Sequence, residues 1–129
     1  MIKSKKLGIW MDHSNAHLME FRSRTMTTTK IESDFTHQVK QSSLDKSENL
    51  MHNKEQHMLT DYFKKIADVI KDYNEVVLFG PAEAKLELKN ILKEDRHFDK
   101  IKIEIQSANK MTEMQERLFV REYFATQLV

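Results

Sequence analysis

The residues whose types suit chemistry are Asp12-His13, Gly80-Pro81, Lys85 and the stretch from Ser107 to Thr112. Each group follows, or closely trails, a run of apolar residues. Side chains just beyond strand ends are the ones a parallel sheet can converge on a ligand. Two amines, Lys85 and Lys110, with backbone amides at two helix N-termini and a glycine turn, suit a phosphate or a carboxylate. The candidate ligand or anion site is therefore Asp12, His13, Gly80, Lys85, Lys110 and Thr112. A structural role competes at each position. Gly80-Pro81 would turn the chain, Thr112 and Gln115 would cap a helix, and Asp12 would shape a turn or orient His13.

Other chemistries are excluded or poorly served. A two-metal nuclease needs several carboxylates around ions about 4 Å apart. Asp12 is suitably placed for one, but the next central strand ends in Gly80, and Glu55, Asp61 and Asp68 have no evident pairing to Asp12. His52 and His57 stand five apart rather than four, and His13, His17, His37 and His97 show no ligand spacing. There is no cysteine, so neither a thiolate nucleophile nor a disulfide framework is available. Ser42 and Ser43 sit in no G-x-S-x-G elbow. A P-loop needs two glycines five apart, and the chain has only Gly8 and Gly80. No catalytic residue, metal or cofactor is expected.

The charge balance is close to even, with 21 Lys+Arg against 20 Asp+Glu, which argues against a dedicated electrostatic DNA binder. The distribution is uneven. Residues 1–54 carry 9 basic and 6 acidic residues, and residues 55–129 carry 12 and 14. Arg22, Arg24, Lys30, Lys40 and Lys46, from the more basic part, are the candidate RNA-contact residues. No aromatic platform for single-stranded RNA is evident, because Trp10 and Phe21 fall in sheet-like patterns. The basic start leads into no signal-like apolar stretch, and no run is long enough to span a membrane. A single soluble cytoplasmic domain over residues 1–129 is expected, without a membrane partner.

Strands and helices must position these groups. LGIWMD puts Leu7, Ile9 and Met11 on one face and Gly8 and Trp10 on the other. After His13-Ser14-Asn15, the run AHLMEF alternates again, which predicts a hairpin. TMTTTKIESDF is rich in β-branched residues and suits a third, exposed strand. A flexible loop is expected at about residues 36–56, since His37 to Glu55 has few large apolar side chains to offset its ordering entropy. Leu59, Phe63, Ile66, Ile70 and Tyr73 then predict a helix. Val76 to Phe79, apolar throughout, predicts a central strand covered on both faces. AEAKLELKNILKED predicts a second helix with Ala84, Leu88, Ile91 and Leu92 inward and Lys85, Lys89 and Lys93 toward solvent. KIKIEIQ alternates strictly, as a half-covered strand would. Thr112 to Gln115 fits a capping box opening a third helix, whose Met114, Leu118, Phe119, Val120, Tyr123 and Phe124 form a broad apolar surface. The order β-β-β-α-β-α-β-α predicts an α/β fold with a ribonuclease-H-like mixed five-stranded sheet, ordered 3-2-1-4-5, and three helices.

The run VVLFGPAEAKLELKNIL, with Gly80, Pro81 and Lys85, resembles the middle domain of the archaeo-eukaryotic class-1 release factors and their paralogue Pelota. GIWMDHSNAHLMEF is similar to the opening hairpin of small bacterial relatives labelled host-attachment or translational-machinery proteins, and NKMTEMQ to their next motif. The resemblance spans nearly the whole chain and implies the same fold. It also implies a translation-related role with a ribosome or RNA as partner. Release factors carry a Gly-Gly-Gln loop between the third strand and the first long helix. The segment from His37 to Glu55 has Gln38 and Gln41 but no glycine, so the backbone freedom that loop needs is missing. The resemblance thus implies a non-catalytic, Pelota-like module. A small-ligand or phosphate-binding protein, or a hydrolase using the carboxyl edge of the sheet, is the competing expectation. Homo-oligomerisation through the apolar last helix is a further one.

Overall fold

The computed structural model describes residues 5–22, 25–33, 48–81 and 83–126. Five strands, β1 (Lys6–Met11), β2 (Asn15–Phe21), β3 (Met26–Glu32), β4 (Glu75–Gly80) and β5 (Lys102–Ser107), form one sheet in the order β3-β2-β1-β4-β5. The first three are antiparallel, whereas β4 and β5 run parallel to β1. Three helices are described: α1 (Glu48–Ile70), α2 (Ala84–Lys93) and α3 (Glu113–Thr126). The mixed sheet and its order are those the element order predicts.

The alternation of each strand decides which helix covers it. Leu7, Ile9 and Met11 join Tyr62, Phe63, Ile66 and Ile70 of α1 and Leu88 and Leu92 of α2 in one core. Trp10, Met19, Val77 and Phe79 point to the other face, where Val120 and Phe124 of α3 close a second core. β4 serves both, and its four apolar residues are each at most 1% exposed. Full burial of such side chains contributes about 1.5–3 kcal/mol apiece, so the central strand anchors both layers.

Three local expectations are corrected. Helix α1 begins at Glu48, so the last part of the segment expected as a loop is helical in backbone. Glu48, Leu50, Met51, Lys54, Glu55 and Gln56 are good helix formers by intrinsic propensity. Residues 36–47 of that segment lie outside the described residues. In α2, Ile91 is 46% exposed and Lys85 is buried, the reverse of the expectation. The buried arc runs from Ala84 through Leu88 and Leu92 to Lys85. Rotation of the helix to seat those leucines carries Ile91 outward and Lys85 in.

Candidate functional site

The sheet's carboxyl edge is built from the turn after β1, the end of β4 with the first turn of α2, and the segment after β5. Asp12 ends β1 as a turn former. Its Oδ1 accepts from the amides of Ser14 at 2.8 Å and Asn15 at 2.7 Å, while its own amide donates to the Asn15 carbonyl at 3.0 Å. An acidic side chain capping its own following amides is a common turn device, and here it closes the β1–β2 hairpin. His13 projects from that turn and pairs with Glu87 of α2 at 3.2 Å. Gly80 lies beside Met11, close enough that a Cβ on it would stand 2.3 Å from the Met11 carbonyl oxygen. Its carbonyl accepts from the Ala108 amide at 3.4 Å, which ties the β4 and β5 ends together.

Behind the turn, the Tyr62 hydroxyl donates to the Asp12 carbonyl at 2.8 Å. Burial, assisted by the Asp12 carboxylate, pushes the Tyr62 phenol far above its ordinary value of 10.0. The folded protein thus holds this proton more tightly than the unfolded chain. The resulting stability is complete below pH 10 and is lost as pH rises beyond it. We expect Tyr62 to ionise only as the protein unfolds. The difference in tyrosinate absorbance between wild type and Tyr62→Phe should appear together with loss of far-ultraviolet circular dichroism. Ionisation of Tyr62 in a still-folded protein would contradict this.

Thr112 and Gln115 form the expected reciprocal cap. The Gln115 amide donates to Thr112 Oγ1 at 3.2 Å, and the Thr112 amide donates to Gln115 Oε1 at 2.9 Å. Lys110, just upstream, is exposed. The structure sets Asp12, His13, Gly80, Lys110 and Thr112 after the carboxyl ends of β1, β4 and β5, but it places α2, which carries the buried Lys85, and α3, which Thr112 caps, on opposite faces of the sheet. It also gives Asp12, His13, Gly80 and Thr112 turn, pairing or capping work of their own. No group of three or more metal-ligating side chains occurs among the described residues.

Of the basic candidates, Arg22 is exposed at the end of β2 and lies 3.4 Å from Glu20. Lys30, on the outer strand β3, forms an ion pair with Glu113 of α3. That contact holds the Lys30 amine above its ordinary value and the Glu113 carboxyl below its own. Arg24, Lys40 and Lys46 lie outside the described residues.

A polar cluster that the sequence reading did not single out lies beneath the first turn of α3. His17 Nδ1 donates to Glu116 Oε1 at 2.7 Å, and the Glu116 side chain is only 3% exposed. The His17 ring stacks on Trp10, with centroids 5.1 Å apart. Trp10 Nε1 is itself buried without a hydrogen-bond partner among the described residues. Trp10, His17 and Lys30 occupy neighbouring positions across β1, β2 and β3, so register sets this row. The available signal was Glu116 itself. It stands four and eight residues before Val120 and Phe124, in line with the apolar stripe, and a carboxylate there calls for a buried partner. A carboxylate that fixes an imidazole in one orientation ties the helix start to the sheet.

No protein-family model and no curated protein matches the chain. Solved structures do match it. Pelota from Thermoplasma acidophilum is 15% identical, with a TM-score of 0.62, over 92% of this chain and 32% of its own. Pelota from Archaeoglobus fulgidus is 10% identical, with a TM-score of 0.60, over 94% and 32%. The archaeal translation termination factor aRF1 is 15% identical, with a TM-score of 0.48, over 96% and 40%. The chain spans about a third of the length of the two Pelota chains. What it shares with them at these identities is the fold, that of a Pelota domain.

Proposed function

We propose that this chain is a non-catalytic, translation-associated module that binds the ribosome or RNA. The observation that carries the reading is the likeness of nearly the whole chain to Pelota structures, at TM-scores of 0.62 and 0.60. It agrees with the family resemblance of the Gly80-Pro81-Lys85 turn and of the opening hairpin, on which a kinship with the small bacterial members also rests. The non-catalytic part rests on composition. With only Gly8 and Gly80 in the chain, no Gly-Gly dipeptide exists to shape a release loop. The contact surface would combine the segment from His37 to Glu55 with Arg22, Arg24, Lys30, Lys40 and Lys46. Arg22 and Lys30 are more than half exposed at their side chains, as phosphate contacts require. No helix among the described residues is long and apolar enough to cross a membrane. A cytoplasmic location follows from the same reading.

Cosedimentation with purified ribosomes tests it. Binding is expected at low salt and should weaken steeply as salt rises, because phosphate contacts release counterions. Lys40→Glu combined with Lys46→Glu should cut binding about tenfold and reduce the salt slope by about two, one per lost contact. A protein that stays in the supernatant at low salt, or binds equally with both lysines reversed, would refute the proposal. Exposed Met114 and Leu118, one turn apart on α3, are the place to look for homo-oligomerisation by light scattering.

A further inference from the structure

The geometry points to the open edge of β5, with the hollow beside α2, as a docking groove for an extended acidic peptide that adds to the sheet as a sixth strand. Among the described residues no strand lies beyond β5. The amides of Lys102 and Ala108 donate inward, to the carbonyls of Asn74 and Gly80. Backbone direction alternates along a strand, so the N–H and C=O groups of Ile103, Ile105 and Ser107 face outward. That outward row is a template for another chain.

Next to it is a shallow hollow of about 220 Å³. Leu92, Phe98, Ile101 and Ile103 give it an apolar floor, and Lys89 and Lys93 stand at its rim on the flank of α2. Asp99 is the one acidic residue among the lining residues. Ile101, Ile103 and Ile105 are only partly buried against the core, so α2 leaves the inner face of the edge strand incompletely covered. A strand laid along β5 would place alternate apolar side chains over this floor. Its acidic side chains must share that parity, flanking the apolar ones, to meet the two amines on the same face of the sheet.

Charge decides between occupants. Two copies of this chain joined edge to edge through β5 by a two-fold axis normal to the sheet would place their α2 helices side by side. The Lys89 and Lys93 flanks would then face each other, and like charges there oppose pairing. A nucleic-acid strand could engage the lysines and the outward amides with its phosphates, but the outward carbonyls that alternate with those amides would repel them, and the apolar floor offers its sugars and bases no hydrogen-bond partner. A strand whose floor-facing side chains are apolar at the centre and acidic at the ends uses the outward backbone, the floor and the amines together. This inference is independent of ribosome binding and is tested without ribosomes.

The test uses the full chain and a fluorescein-labelled heptapeptide, Glu-Thr-Val-Thr-Val-Thr-Glu, whose glutamates and valines share one face of a strand, followed by anisotropy. Saturable binding is expected, with slowed amide exchange at Ile103, Ile105 and Ser107. Lys89→Glu combined with Lys93→Glu should weaken it at least tenfold. So should Ser107→Pro, which removes an outward donor from an exposed edge position that tolerates proline. Circular dichroism confirms that both variants fold. Absence of saturable binding, or binding undiminished in either folded variant, overturns the proposal. Equal binding of the same heptapeptide with lysine in place of each glutamate overturns it too, as does displacement of the probe by an oligouridylate. A dimer by light scattering with β5 amides already protected would identify a second copy as the occupant and likewise overturn it.

Discussion

Gly80→Ala is expected to lower stability by about 3 kcal/mol, from the combined cost of backbone strain and overpacking. Gly80 has φ +145°, a conformation side chains resist, and a Cβ would stand 2.3 Å from the Met11 carbonyl oxygen. That oxygen belongs to the backbone of β1 and cannot swing aside. Relief would require β1 and β4 to part at their carboxyl ends, where the Asp12 turn and the start of α2 sit. The loss is a large share of a typical stability of about 5–15 kcal/mol. Urea unfolding monitored by circular dichroism measures it, with the exposed Ser107→Ala as a control expected to change stability by less than about 0.5 kcal/mol. A Gly80→Ala protein as stable as the control would show that the close approach is not required.

The second large effect is at Gly8, and its cause is different. Here the backbone conformation is ordinary and the obstacle is α3, since a Cβ would come within 2.2 Å of Val120 Cγ2. Val120 is fully buried, and a β-branched side chain on a helix has little rotamer freedom with which to yield. Gly8→Ala should cost about 3 kcal/mol by overpacking. Val120→Ala alone should cost about 2 kcal/mol through the cavity it leaves. The two changes are complementary, so the double variant should be less destabilised than the sum by at least about 1 kcal/mol. Strict additivity in the double-mutant cycle would rule out the proposed contact. Glycine at this position lets α3 lie close on β1 and β2, and that approach brings Glu116 within reach of His17.

These two positions give the scarcity of glycine a physical reading. Each of the two sits where backbone or helix must approach a neighbour more closely than a Cβ allows. Gly80 holds the carboxyl edge together, and Gly8 seats the helix on the opposite layer.

Much of this architecture was legible in one dimension because it rests on short-range periodicity. The alternation of Leu7, Ile9 and Met11 against Trp10, the unbroken apolar run of β4 and the strict pattern of β5 each follow from the two-residue repeat of a strand. The Thr112–Gln115 cap was legible for a similar reason, since both partners lie within one turn. Strand order followed from the right-handedness of β-α-β crossovers together with a hairpin start. The resemblance carried by Gly80-Pro81-Lys85 named the fold that the structural comparisons found.

What depended on distant partners was not legible. The rotation of α2, which buries Lys85 and exposes Ile91, is set by how Leu88 and Leu92 seat on the sheet, and the helical pattern alone allows several such rotations. The start of α1 at Glu48 lay in a polar stretch where propensity and burial point opposite ways. His17 and Glu116 are 99 residues apart, and only the register of β1 with β2 and the closeness of α3 at Gly8 bring them to 2.7 Å. Which strands and helices form, which way each strand's side chains alternate and the order of the strands could be read from the chain, because these depend on periodicity over a few residues and on crossover handedness. Which polar groups meet depends on register, helix rotation and interlayer distance, quantities set by packing across the whole sheet.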